Sequence, residues 1–136
     1  MLTPRRTKFR KQFRAKTKEA PARSGNYVAF GEFGLKTTHS GNISSREIEA
    51  GRKAMTHFTK RGGRIWSRSF PDRPTTRKPP ETRMGGGKGD LHEYVAPVQT
   101  GRIVFEMGGI PEEIAREAMR LAANKLSVKC RVVARR

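Results

Sequence analysis

Residues 44–63 read SSREIEAGRKAMTHFTKRGG, and this stretch contains the clearest element of the fold. Ser44 and Glu47 have the Ser-x-x-Glu spacing of a helix N-terminus, where the serine oxygen accepts an amide of the first turn. Small and apolar residues then recur every three or four positions, which predicts one buried face. That face comprises Ile48, Gly51, Met55 and Phe58. The two glycines at the end of the stretch favour a stop, so we predict an amphipathic helix over 44–61.

Strands are predicted on both sides of this helix, because short runs of β-branched, aromatic and aliphatic residues end at glycine or proline. The predicted strands cover residues 27–33, 65–70, 93–98, 102–107 and 128–134. Residues 99–101 read Gln-Thr-Gly, which favours a hairpin turn between the third and fourth of them.

A second helix is predicted to begin at Pro111, because proline suits the first turn of a helix. Its predicted apolar face comprises Ile114, Ala118, Leu121, Ala122 and the stem of Lys125. The element order predicts an α+β fold in which two helices pack on one side of a largely antiparallel or mixed sheet. We divide the chain into a basic extension, residues 1–24, and a single α+β domain, residues 25–136.

Residues 71–91 contain four prolines and the run Gly85-Gly86-Gly87-Lys88-Gly89, without apolar periodicity. A loop of about 20 residues in a compact domain is usually functional or disordered. The run does not match a phosphate-binding P-loop, because Thr82 stands where that motif needs glycine and Gly89 where it needs Ser or Thr. Two interpretations stay open on spacing alone: a loop whose backbone approaches a sugar-phosphate chain, or a flexible surface loop.

The charge of the chain favours a polyanionic partner. Thirty Lys and Arg face twelve Asp and Glu among 136 residues, which gives a net charge of +18. Positive charge concentrates in residues 1–23, 60–89 and 125–136, whereas residues 90–124 are acidic on balance. We expect the N-terminal arm to be disordered in the free protein and to bind RNA through its cations, with Phe9 and Phe13 available for stacking.

Other classes of function find little support in the sequence. His39, His57 and His92 lack metal-ligand spacing, and Cys130 alternates with Val128 and Val132 as a core residue does. We therefore predict no catalytic residue, no metal and no cofactor. No apolar run approaches the roughly 20 residues needed to cross a bilayer, and residues 1–13 do not resemble a secretory signal.

Ordered motifs along nearly the whole chain resemble the L-sixteen family of bacterial and plastid large-subunit ribosomal proteins, whose archaeal and eukaryotic relatives are the L-ten-e proteins. The opening residues 1–12 read MLTPRRTKFRKQ, and residues 30–36 read FGEFGLK. The most specific stretches are KPPETRMG at 78–85 and FEMGGIPEE at 105–113. Gly51 departs from the alanine that the family usually has in this helix.

The resemblance implies a hammerhead-like α+β fold and a structural, non-enzymatic role in the large ribosomal subunit, in late assembly and in translation. The implied partners are large-subunit rRNA, A-site tRNA, other large-subunit proteins and, as a further candidate, P-site tRNA. No membrane and no homo-oligomer are expected. The expected location is the cytoplasm, or the plastid stroma for a plastid-encoded chain. A transient RNA chaperone or ribosome-assembly factor is the alternative.

From charge and motif together we assign two sets of binding residues. The predicted rRNA-binding residues are Arg5, Arg6, Lys8, Arg10, Lys11, Arg14, Arg46, Arg52, Lys53, Lys60, Arg61 and Arg64. The predicted tRNA-binding residues are Lys78, Arg83, Met84, Gly85, Gly87 and Lys88.

Overall fold

Two antiparallel sheets and two helices make up the part of the chain that the computed structural model describes, residues 1–14 and 19–136. In chain order the elements are β1 (Phe33–Thr37), β2 (Gly41–Ser44), α1 (Ser45–Phe58), β3 (Arg64–Ser67), β4 (Arg73–Arg77), β5 (Asp90–Val98), β6 (Ile103–Gly108), α2 (Glu112–Ala123) and β7 (Cys130–Ala134). One sheet has the order β3-β6-β1-β7 and the other β2-β5-β4. The predicted α+β class is confirmed, with two sheets in place of one.

The core is centred on β6, whose six residues are all buried. Phe105 of this strand packs toward Gly51 of α1, where an added Cβ would lie 3.0 Å from the phenylalanine Cε2. An alanine at this position therefore requires Phe105 to move by a few tenths of an ångström. This close approach gives a packing reason for the glycine, which otherwise costs a helix about 1 kcal/mol relative to alanine.

The predicted hairpin at residues 99–101 is wrong, although the turn itself is present. The Arg102 amide donates to the Gln99 carbonyl at 3.1 Å, and Gly101 has a φ of +93°. However, β5 pairs with β2 and β4, whereas β6 pairs with β1 and β3. The Gly101 amide donates to the Thr37 carbonyl at 2.8 Å, so the turn is attached to the end of β1 and carries the chain from one sheet to the other.

The strand predicted at 27–33 is also wrong, because β1 begins where that strand was expected to end. The amides of Ala29, Phe30 and Gly31 donate to Oε1 of Glu106 at 2.7, 2.9 and 3.3 Å. These amides are therefore used by one buried carboxylate and not by a neighbouring strand. The segment lies over the sheet, and the buried Val28 closely approaches Gly34.

Helix α1 follows the sequence prediction except at its end. Ser44 caps it by accepting the Glu47 amide at 3.2 Å, while the Glu47 carboxylate accepts from the Ser127 hydroxyl at 3.1 Å. Ile48, Gly51 and Met55 are buried as predicted. Phe58 is 39% exposed, so its predicted burial is wrong; it is the last helical residue, where the chain leaves the helix.

Helix α2 is confirmed, but its buried face is rotated from the predicted one. Ala118 and Ala122 are buried as expected, whereas Ile114 is 40% exposed. The remaining buried positions are Ala115 and Met119. Three of the four buried residues are alanines, which lets α2 pack closely against α1, β1 and β7.

The loop predicted at 71–91 contains a strand, since β4 pairs with β5 from Arg73↔Val95 to Arg77↔Asp90. Proline at position 74 is tolerated because β4 lies at the edge of its sheet. The irregular part is thus confined to residues 78–89, the connection of a long β4–β5 hairpin.

Candidate nucleic-acid interface

The N-terminal arm lies against the β4–β5 hairpin. Lys88 Nζ donates to the Gln12 carbonyl, and Lys11 Nζ donates back to the Lys88 carbonyl at 3.4 Å. Arg73 of β4 donates to the Phe13 carbonyl at 3.3 Å. These are side-chain bonds to main-chain carbonyls, so they hold the arm on the hairpin and engage only Lys11 among the described cations of the arm.

Most predicted rRNA-binding side chains are exposed, and Lys11 is half-buried. Those of the arm carry exposed aromatic neighbours: Phe9 is 60% exposed beneath Lys8 Nζ, which lies 5.5 Å from its ring centroid, and Phe13 is 91% exposed. Lys16 and Lys18, counted in the charge of the arm, lie outside the described residues. The described arm therefore combines cations with rings on which bases can stack.

The remaining predicted rRNA-binding residues belong mostly to α1 and the turn after it. Arg52, Lys53, Lys60 and Arg61 line one shallow groove with Thr56 and His57. Lys60 and Arg61 have φ of +53° and +64°, the left-handed region in which non-glycine residues are strained. Arg46 and Arg64 are exposed but do not line this groove.

Arg52 is partly neutralised within this groove. Its guanidinium pairs with Glu49 at 2.5 Å, and this hydrogen bond lowers the pKa of the glutamate. Both side chains are solvent-accessible, so the pair contributes little to stability and either group can exchange it for another partner. Among residues 1–14 and 19–136, no ion pair offsets the charge of the other groove cations, which are Lys53, Lys60 and Arg61.

Residues 78–89 form an exposed loop with a braced base and a bare tip. Lys78 Nζ donates across the loop to the Gly85 carbonyl, and the Thr82 amide donates to Pro79 at 3.1 Å. Gly85, Gly86 and Gly87 have φ between +78° and +93°, with no atom within 4 Å of a Cβ added at any of them. At the tip Met84 is 98% exposed and Arg83 is exposed.

The predicted tRNA-binding residues therefore have different positions. Arg83, Met84, Gly85 and Gly87 lie at the tip, where backbone and side chain are accessible. Lys78 spans the loop, and Lys88 is bonded to the arm. Gly89 is required at the base, because a Cβ there would lie 2.8 Å from the carbonyl carbon of Arg77.

A buried ion pair that was not predicted orders part of the β3-β6-β1-β7 sheet and the segment before β1. Glu106 is fully buried and pairs with Arg68 at 2.5 Å, in addition to accepting three amides. Burial raises the pKa of this carboxyl, but the bonds from Arg68 and the amides outweigh burial and lower it overall. Glu106 is thus ionised at neutral pH, and it orients both Arg68 and the segment before β1.

The exposed surface of α2 has the opposite charge character to the arm. Glu112 pairs with Arg116 at 2.9 Å and Glu117 with Arg120 at 2.6 Å, while Glu113 is exposed. This helix therefore presents paired charges with an acidic excess in its first turn. Such a surface suits solvent or a basic partner better than it suits phosphate.

Enzyme-like chemistry finds no geometric support in residues 1–14 and 19–136. No group of three or more His, Cys, Asp or Glu is positioned for a metal ion there. Burial raises the pKa of the Cys130 thiol to about 11, which makes it a poor nucleophile. Within the same ranges neither helix is long and apolar enough to span a membrane.

Sequence reasoning missed three contributors to these surfaces: Arg73, Gln12 and Arg68. Arg73 lay in a stretch counted only for its charge, and no local signal shows that it meets Phe13, 60 residues away. Gln12 contributes its carbonyl, which every residue has. The Arg68–Glu106 pair could have been suspected from a glutamate within an otherwise apolar strand.

Comparison with known proteins identifies relatives along nearly the full chain. Residues 4–133 match the family model described as Ribosomal protein L16p/L10e. Two relatives, each named "Large ribosomal subunit protein uL16", come from Dehalococcoides mccartyi strains BAV1 and CBDB1. Both are 55% identical over 135 residues, which cover 99% of this chain and 90% of the relative.

Proposed function

This chain belongs to the L16p/L10e family of ribosomal proteins, and from that premise we propose that its arm and α1 groove bind rRNA while the tip of its 78–89 loop contacts tRNA. The chain is a structural component of the large ribosomal subunit and not an enzyme. It associates there with rRNA and other large-subunit proteins, and in bacteria this subunit is cytoplasmic.

The rRNA proposal is supported chiefly by the arm on its hairpin. The cleft between them contains Arg14, Arg73 and Lys88 beside Gln12 and Asn42. The Nε of Arg73 is buried without a hydrogen-bond partner among residues 1–14 and 19–136, although its Nη2 bonds Phe13. Closely spaced cations, two of which already hold backbone carbonyls, are positioned to take phosphate oxygens as well.

Replacing cations of the arm by glutamine tests this proposal without deleting the arm. We expect R5Q, R6Q, K8Q and R10Q together to flatten the salt dependence of rRNA binding by about 3 in log–log slope, since each lost phosphate contact removes about 0.9 or less. Leu2, which packs against the core, is kept. The control, R116Q with R120Q, removes two charges from α2 and should leave the slope nearly unchanged. Equal slopes for arm variant and parent contradict the arm as an rRNA anchor.

The tRNA proposal is supported by the form of the loop. Lys78 bonds across the loop to Gly85 and Lys88 bonds to the arm, so the loop is held at two points while its tip stays exposed. Its glycines place no side chain between the backbone and a partner. Arg83 offers a planar, bidentate grip on phosphate, and a backbone contact suits a site that must accept every tRNA.

The test is Arg83→Ala in assembled ribosomes. We expect normal folding and incorporation, with weaker protection of tRNA in footprinting and slower elongation. Arg83→Lys keeps the charge but not the fork, so it should recover only part of the protection. If Arg83→Ala blocks incorporation while tRNA protection on assembled ribosomes stays normal, the loop is an rRNA anchor and the tRNA assignment fails.

The alternative of a transient assembly factor is not favoured by the names of the relatives. A sucrose gradient at high salt separates the two. A structural component remains with the large subunit at near one copy per particle, which also tests the expected absence of a homo-oligomer. An assembly factor washes off or stays substoichiometric.

A further inference from the structure

We propose that a cleft on the four-stranded sheet, remote in sequence from both the arm and the 78–89 loop, binds one unpaired RNA nucleotide. We call it the aromatic cleft; its side-chain-bearing lining is Phe30, Glu32, Arg64, Trp66 and Arg135. The proposal rests on the RNA-binding function proposed above and adds the kind of RNA feature that this surface takes.

Glycines form the rest of the lining. Gly31, Gly63, Gly108 and Gly109 bring three chain segments together there. A Cβ added at Gly31 would lie 2.4 Å from the Met107 carbonyl oxygen and 3.1 Å from Cζ3 of Trp66. One added at Gly108 would lie 3.3 Å from the same Trp66 atom. The indole thus packs directly on backbone, and the absence of side chains keeps the cleft open.

The two aromatic residues form a stacked pair at the surface. The ring centroids of Phe30 and Trp66 lie 6.2 Å apart with an interplanar angle of 23°. Phe30 is 60% exposed and Trp66 is half-buried, and neither belongs to the main core. The exposed part of this aromatic pair is suited to stacking with a nucleobase, since every base has a flat π-face.

Buried charge holds this pair in place. Glu106 fixes the backbone of residues 29–31 through three hydrogen bonds, and it orients Arg68, whose Cζ lies 4.8 Å from the Phe30 ring centroid. Ordering an exposed ring in advance lowers the cost of binding a partner to it. The contacts of Glu106 therefore stabilise the fold and also hold Phe30 ready for a partner.

The charges around the cleft select an anionic partner. Arg64 and Arg135 line it, and Glu32 is the one acidic side chain in the lining. A nucleotide matches this pattern, since its base suits the rings and its phosphate the two guanidinium groups. Fully paired RNA hides its base faces, so the expected ligand is a bulged, looped or single-stranded nucleotide.

Trp66 is the only tryptophan of the chain, so all tryptophan emission comes from this cleft. We would titrate the intact protein with oligoadenylate and with a ribose-phosphate chain of equal length without bases. Oligoadenylate should quench Trp66 emission, while the abasic chain should bind by charge without quenching. Total binding is followed separately by the anisotropy of labelled oligomers, so binding elsewhere is seen even if the cleft is empty.

Phe30→Leu should raise the oligoadenylate concentration at the titration midpoint by about 5- to 150-fold, the range expected for losing a base–ring stack. Phe70→Leu removes a similarly exposed ring, 47% exposed, outside the cleft and should leave the midpoint unchanged. The inference is overturned by saturated anisotropy without quenching, by equal quenching with the abasic chain, or by equal effects of the two variants. A protein absent from the large subunit in the gradient would instead overturn the proposed function.

Discussion

Replacing Glu106 by glutamine should be the most damaging single polar substitution in the β3-β6-β1-β7 sheet. The carboxylate accepts three amides at 2.7–3.3 Å through Oε1 and pairs with Arg68 at 2.5 Å through Oε2. The amide of a glutamine has one acceptor oxygen in place of two, and its NH₂ would face either the amides or the guanidinium. Donors would then oppose donors in a buried site.

The expected loss follows from the burial of the pair. Breaking a buried ion pair by removing one partner costs about 3–5 kcal/mol, and Arg68, 23% exposed, keeps some access to water, so we expect about 3 kcal/mol. Loss of that size is a large part of the 5–15 kcal/mol typical of a whole domain. Urea unfolding at pH 7, followed by far-UV circular dichroism, measures it.

The pH dependence provides a second check. Because the pKa of Glu106 is lowered by folding, its contribution is present above the unfolded pKa of about 4.3 and is lost as pH falls through the folded value. The stability gap between parent and Glu106→Gln should therefore narrow in acid. Glu117→Gln, in an exposed pair on α2, is the control and should change stability little. If the unfolding free energies of parent and Glu106→Gln differ by less than about 1 kcal/mol at pH 7, or by an amount that is constant with pH, the stabilising role assigned to the ionised carboxylate is refuted.

Two further predictions concern the core. In the same urea assay, Met55→Ala should destabilise the domain by about 3 kcal/mol and Phe58→Ala by about 1 kcal/mol. The reason is that Met55 is fully buried whereas Phe58 is 39% exposed. A larger loss for Phe58→Ala would show that the end of the helix is packed differently. Cys130 should react with iodoacetamide about 100-fold more slowly in the native chain than in urea at the same pH, since burial raises its pKa to about 11 and the thiolate is the reactive form; equal rates, read by mass spectrometry, would contradict this.

Features encoded within a few residues were predictable. The Ser44 cap and the buried Ile48 and Met55 depend on neighbours three or four positions away, and the structure confirms them. Features set by distant partners were not. The segment 27–31 has strand-like composition, but Glu106, more than 70 residues later, takes its amides. The hairpin prediction failed for the same reason, since the strands that pair with β6 in the structure, β1 and β3, lie far from it in the sequence.

For the candidate interface, the sequence indicated which residues carry charge and which loop is accessible, and those assignments to RNA remain predictions. It could not indicate which cations are already engaged. Lys78 and Lys88 were predicted to bind tRNA together with Arg83, yet they bond to the carbonyls of Gly85 and Gln12. Such pairings involve backbone acceptors, which carry no signature in the residue type.

The reciprocal lysine bonds between residues 11–12 and 88 couple the arm to the 78–89 loop. Any partner that fixes the arm also fixes the base of the loop, so it lowers the conformational entropy that the loop must lose when its own partner arrives. The coupling free energy is the same in the other direction, so occupancy of the loop tip tightens the grip of the arm by the same factor. Two binding events on different RNAs would thus be cooperative through these two side-chain hydrogen bonds, without any rearrangement of the sheets.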